Sequence, residues 1–177
     1  SATSFHAREL PDPVVRSVWW FEVDRPAVAL GSTQRLDVVD ASRAEAAGVE
    51  VVRRRSGGGA VWLAPDDVTW VDVLVPHGDE WWEDDVGRAS LWLGRQWVAA
   101  LGDLGIAGAV VHEGGMVRSR WSDLVCFAGL APGEVVVGGA KAVGISQRRN
   151  RAGARFQCAV LHRWSPRPLV DLLAGSV

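Results

Sequence analysis

Apolar residues recur along most of the chain at every second position, and glycine and proline break the runs. This pattern predicts a strand-rich domain. Residues 14–23, dense in Val, Trp and Phe, predict a first strand, and Pro26 precedes a short one over 27–30 that ends in the turn Gly31-Ser32-Thr33-Gln34. The alanine-rich stretch 40–47 predicts a helix stopped by Gly48. Strands follow over 49–55, 60–63 and 68–75. A period of three to four then takes over: Val86, Leu91, Leu93, Trp97, Val98 and Leu101 predict the longest helix, capped by Asp84-Asp85 and ended by Gly102 and Gly105. Further strands are predicted over 106–111, 124–127, 134–137, 141–146 and 156–161, and Ser165-Pro166 opens a closing helix over 167–173. The sum is an α+β domain, a mostly antiparallel central β-sheet flanked by helices.

Composition narrows the classes. A chain of 177 residues fits one domain, which at this length buries about two thirds of its unfolded surface. With 19 basic and 21 acidic residues there is no basic excess of the kind nucleic-acid binding requires. No apolar run approaches the ~20 residues of a membrane span, and no basic-then-apolar signal pattern opens the chain. A cytoplasmic protein without membrane contact is the expectation. Cys126 and Cys158 are too few for a disulfide scaffold or zinc site, and the four histidines are scattered, so no metal site is assigned.

Two segments carry candidate chemistry. Lys141 is the only lysine beside eighteen arginines, and it stands in Gly-Gly-Ala-Lys-Ala-Val-Gly-Ile-Ser-Gln-Arg-Arg. An ammonium is a compact point charge with three donors, whereas guanidinium is a planar fork, so the position reads either as one that needs the former or as a surviving lysine on a strand surface. The other segment is Arg53-Arg54-Arg55-Ser56-Gly57-Gly58-Gly59-Ala60-Val61. Strand alternation turns Arg54 to the face opposite Arg53 and Arg55. The glycines let a backbone approach a ligand and present N–H groups to an anion. Without a following Gly-Lys-Ser/Thr it is not a P-loop. The arginines at 148, 149, 151 and 155 read either as a solvated hairpin or as a docking patch for an acidic carrier.

In order and spacing these segments resemble the lipoate–protein ligase family, within the superfamily of biotin and lipoate protein ligases and octanoyltransferases. Leu30-Gly31-Ser32-Thr33-Gln34 is similar to its early Leu-Gly-x-x-Gln, and Arg151 to Gln157 to a later strand pair. The resemblance implies a sheet flanked by helices, an acyl chain held beside the triple glycine, and transfer of a lipoyl or octanoyl group to a lysine of an apo lipoyl carrier domain. Lys141 matches the catalytic lysine, and Arg54, Ser56, Gly57, Gly58, Gly59, Ala60, Gly144 and Asp123 match positions that hold the acyl group or its adenylate.

The leading route is an acyl-adenylate made from ATP with Mg and free lipoate or octanoate. Ser122-Asp123-Leu124-Val125-Cys126-Phe127 resembles instead the Cys-Phe segment of octanoyltransferases that take octanoyl from acyl carrier protein, with Cys126 as nucleophile. A non-catalytic acyl-binding module is the remaining alternative. The chain departs from the adenylating pattern at Trp62-Leu63-Ala64, where His-Asp is usual, and at Ser122-Asp123, where Asn-Asp is usual. It shows no C-terminal accessory domain, which leaves 1–177 as one catalytic domain and a separate accessory protein as a possible partner.

Overall fold

A computed structural model describes residues 1–175. It contains two sheets that meet along one edge of the candidate site. Six strands form the larger sheet in the order β1 (Ser17–Phe21), β5 (Val68–Pro76), β9 (Gly153–Leu161), β8 (Ala140–Arg149), β7 (Val135–Val137) and β6 (Ala109–Val111), every neighbour antiparallel. The smaller sheet has β2 (Ala27–Leu30) between β3 (Glu50–Arg53), which is parallel to it, and β4 (Val61–Leu63), which is antiparallel. The mostly antiparallel α+β architecture expected from the sequence is present.

Alternation along the central strands explains the layering. Val71, Val73 and Val75 of β5, Phe156, Cys158 and Val160 of β9, and Val143 and Ile145 of β8 form one core with Leu93 and Leu101 of the helix α3 (Leu91–Asp103). The opposite face packs Trp70 and Ala159 against Ala27, Ala29, Val61 and Leu63 of the smaller sheet. A third cluster joins Val28 and Leu30 to Ala44 of α2 (Ala41–Ala46), to Leu169 of α4 (Arg167–Val170) and to Leu172 and Leu173 beyond it.

The long helix starts later than its periodicity predicts. Asp84 accepts from the Trp82 indole at 2.7 Å and Asp85 from Gly87 N at 2.8 Å. Both carboxylates therefore close turns, and α3 begins only after Ser90. Within α3, a Cβ on Gly94 would lie 2.1 Å from Gly133 O, so the absent side chain lets the 131–134 turn lie against the helix.

Residues 1–9 carry no apolar period that predicts an element. They form α1 (Ala2–Ala7), whose amides at Ala2 and Thr3 each donate to Glu50 at 3.1 Å. Arg155 binds the same segment: it is ion-paired with buried Asp72 at 2.5 Å and donates to Phe5 O at 2.6 Å and to Arg8 O. Burial is the main influence on Asp72 and raises its pKa, with Arg155 pulling the other way.

His6, enclosed between Phe5 and Trp70, has no hydrogen-bond partner on either ring nitrogen. Burial, with Arg54 and Arg155 adding to it, pushes its pKa down to about 3 from 6.5. The folded state thus binds the neutral ring, while the unfolded chain takes up a proton below pH 6.5. Stability supplied by neutral His6 is complete above 6.5 and is lost as pH falls toward 3, with a slope of about 1.4 kcal/mol per pH unit. His6→Phe should flatten that part of the stability profile, as measured by urea unfolding across this pH range. An unchanged slope would show that His6 titrates normally.

Candidate active site

Two turns and an irregular strand come together where the sheets meet. The first turn, 56–59, leaves β3 and is pressed against its neighbours. A Cβ on Gly31 would lie 1.8 Å from Gly58 O, and one on Gly59 would lie 2.7 Å from the backbone of Val125. Gly58 has φ +95, a conformation that side chains disfavour. Arg54, buried and pointing inward as alternation predicts, secures the loop from beneath. Its Nη2 donates to Gly57 O at 2.6 Å and Gly59 O at 3.0 Å.

The second turn carries Cys126. A strand over 124–127 is the sequence expectation, but Leu124 N and Val125 N both donate to Trp121 O, at 2.9 and 2.8 Å, and the chain coils into a 3-10 turn, Cys126–Ala128. One rung of parallel pairing survives: Ala60 N donates to Leu124 O at 2.8 Å and Cys126 N to Ala60 O at 2.9 Å. Gln34 ties Gly31, at the end of β2, to the segment that leads into this second turn. Its Oε1 accepts from Gly31 N at 2.9 Å, and its Nε2 donates to Asp123 O at 3.0 Å and Leu124 O at 3.2 Å.

The third part is β8. Val135 pairs with Val143 but Val136 pairs with Lys141, so Ala142 is an extra residue in a β-bulge. Val143 and Ile145 face α3; strict alternation would send Lys141 there as well. The bulge turns it to the other face. Gly144 accommodates it there, since a Cβ at 144 would meet Lys141 Cε and Phe127 at 3.2 Å. Lys141 Nζ then donates to Glu134 Oε1 at 2.8 Å, Cys126 O at 3.0 Å and Gly129 O at 3.2 Å, and lies 4.9 Å from the Phe127 ring centroid. Lys141 Nζ and Arg54 Nη2 each stand 3.9 Å from Cys126 Sγ.

A cavity of about 700 Å³ opens over this junction. Gly57, Gly58, Gly59, Asp123, Cys126 and Lys141 line it, as does Glu134, which sequence reading did not single out. Arg54, Gly144 and Cys126 border a narrow slot of about 20 Å³. Ser56 is buried beside Ser146, with hydroxyls 3.0 Å apart, and Ala60 is wholly enclosed at its bridge to Val125. Asp123 is at the rim, paired with Arg118 at 3.0 Å.

The basic stretch is largely occupied. Arg148 pairs with Glu9, Arg149 donates to the carbonyls of Glu83 and Asp84, and Arg155 is buried on Asp72. Cys158 is fully enclosed, and burial pushes its thiol pKa up to about 12, which makes it inert beside cavity-lining Cys126. Sulfur flanked by two cationic nitrogens in an open cavity is the arrangement nucleophilic acyl transfer uses.

Comparison with known proteins agrees with the geometry. The model of the lipoyl protein ligase A/B catalytic domain matches residues 5–177. Octanoyltransferase LipM of Carboxydothermus hydrogenoformans is 35% identical over 141 residues, which are 77% of this chain and 48% of that protein. The chain thus spans about half the length of this curated relative. Two solved structures share the fold at 18% identity. One is a T. acidophilum protein with bound lipoic acid, at TM-score 0.67 over 88% of this chain and 58% of that one. The other is a bipartite lipoate protein ligase with its E2 lipoyl domain from Thermoplasma acidophilum, at TM-score 0.61 over 90% and 54%.

Gly59→Ala should force the 59 and 125 backbones apart and cost roughly 1–3 kcal/mol of stability, read from the urea midpoint. A loss within error would mean the contact is looser than these distances require.

Proposed function

Since this chain belongs to the lipoyl protein ligase A/B catalytic domain family, we propose that it is an acyltransferase carrying an octanoyl or lipoyl group from a thioester donor to the lysine of a lipoyl carrier domain through Cys126. The observation that carries this reading is the placement of Cys126 Sγ in the cavity, 3.9 Å from Lys141 Nζ and from Arg54 Nη2. The resemblance of the chain to an octanoyltransferase supports the same donor class.

The Cys126 thiol gives up its proton as Sγ attacks the thioester carbonyl, the bond from that carbonyl to the carrier sulfur breaks, and the departing sulfur takes up the proton. An acyl-cysteine remains. The acceptor lysine amine then attacks that carbonyl, an amide forms, the bond from the carbonyl to Sγ breaks, and the proton shed by the amine returns Cys126 to its thiol. Each step places negative charge on sulfur or on the carbonyl oxygen. The Arg54 cation and the N–H groups of a glycine loop stabilise such charge, Lys141 holds the cysteine turn in place beside them, and loss of one such group costs roughly 10²- to 10³-fold.

The adenylating route, with ATP and Mg acting on a free acid, is the second reading of the same cavity. The Arg-Arg-x-Ser-Gly-Gly-Gly and Lys-x-x-Gly-x-x-Gln-Arg elements favour it. Against it, the Lys141 ammonium is already paired with the Glu134 carboxylate, which offsets the charge it would offer a phosphate.

Incubation with an apo lipoyl domain distinguishes the routes by mass. Octanoyl-carrier protein should acylate the domain, Cys126→Ala should abolish the gain, and Lys141→Arg should reduce it about 100-fold or more with the fold retained. Gain only with ATP and octanoate would establish the ligase instead. Octanoate binding without any gain would establish an acyl-binding module.

A further inference from the structure

Glu134 is the one carboxylate buried in the site, and nothing in the transfer scheme employs it. Val135 faces the α3 core, so alternation puts Glu134 on the cavity side. The Lys141 and Glu134 side chains are 6% and 4% exposed, so both charges are withdrawn from water. Both carboxylate oxygens of Glu134 are engaged. Oε2 accepts from Ala131 N at 2.7 Å, and Oε1 accepts from Ile145 N at 3.2 Å and from Lys141 Nζ at 2.8 Å. The carboxylate is therefore fixed by two backbone amides, one before β7 and one inside β8, before it touches the lysine.

We propose that Glu134 is the positioning residue for Lys141. Held by the backbone on both sides, it fixes Nζ so that the other two N–H groups fall on Cys126 O and Gly129 O, the two ends of the turn that presents the thiol. Glu134 thus acts on Cys126 through Lys141 and does not touch substrate. The inference rests on the assignment of Cys126 and Lys141 to the acyl-transfer site, but the ion pair can be tested without any acyl group.

Because the chain has a single lysine, isotopically labelled lysine gives one side-chain ammonium resonance by NMR. In the wild-type protein at neutral pH this resonance should be observable and exchange slowly with water. Glu134→Gln keeps the shape and removes the charge, and should speed that exchange by about tenfold or more. In the transfer assay the same variant should lower kcat about tenfold while KM for the thioester donor stays within about twofold.

A wild-type resonance that exchanges like an exposed amine would overturn the proposal, whatever the variant does. So would a folded Glu134→Gln protein with unchanged exchange and unchanged kcat. A protected wild-type ammonium in a protein that transfers no acyl group would uphold the ion pair while removing the acyltransferase reading.

Discussion

The site depends on close backbone contact between segments distant in sequence. Gly31 lies on Gly58 O, and Gly59 lies on the Val125–Cys126 peptide, at distances no Cβ would survive. These contacts bring the end of β2, the loop after β3 and the cysteine turn together, so the two sheets share one cavity wall. The Ala60–Val125 bridge and the Gln34 side chain then supply the hydrogen bonds that the approach would otherwise leave unmade. Remove any one of these glycines and the thiol moves relative to the loop that faces it.

The second requirement is a fault in a strand. A regular β8 would bury Lys141 in the α3 core, where an ammonium finds no partner. The extra residue at Ala142 reverses its direction. The Gly133 turn, lodged against Ser90 and Gly94, brings Glu134 to meet it. Strand irregularity and helix packing thus cooperate: the first aims the charge, and the second supplies its counter-charge. A buried ion pair of this kind is a device for geometry more than for stability, since desolvation offsets much of the attraction.

Most of the strands were legible because their apolar residues alternate and glycine or proline marks their ends. The residues of the site were legible too: Lys141 as the lone lysine, 56–59 as a glycine run, Cys126 through family resemblance. Three features were not. Residues 124–127 carry strand-forming side chains, yet the amides of Leu124 and Val125 turn back on Trp121 and only one rung pairs with Ala60. Asp84-Asp85 looks like a helix cap, but Gly87 follows and both acids close turns. Glu134 lacks any local signature; its meaning comes from a register shift between β7 and β8, and register is a tertiary fact. The only hint was position: one acid directly before three valines, between the cysteine and the lysine.

The two cations beside Cys126 are not equivalent. Lys141 has its charge balanced at 2.8 Å by Glu134, so the pair presents little net charge to a sulfur 3.9 Å away. Arg54 is also 3.9 Å from that sulfur and buried, but its recorded hydrogen-bond acceptors besides the sulfur are the neutral carbonyls of Gly57 and Gly59. The uncompensated positive potential at Sγ therefore comes chiefly from the arginine, in a low-dielectric setting where it is least screened. Lys141 contributes mainly shape. A point charge with three diverging donors can join Glu134, Cys126 and Gly129 at one atom, and a planar fork spreads its donors too far apart to do so. That division explains why a chain that otherwise uses arginine for every cation keeps lysine at this position.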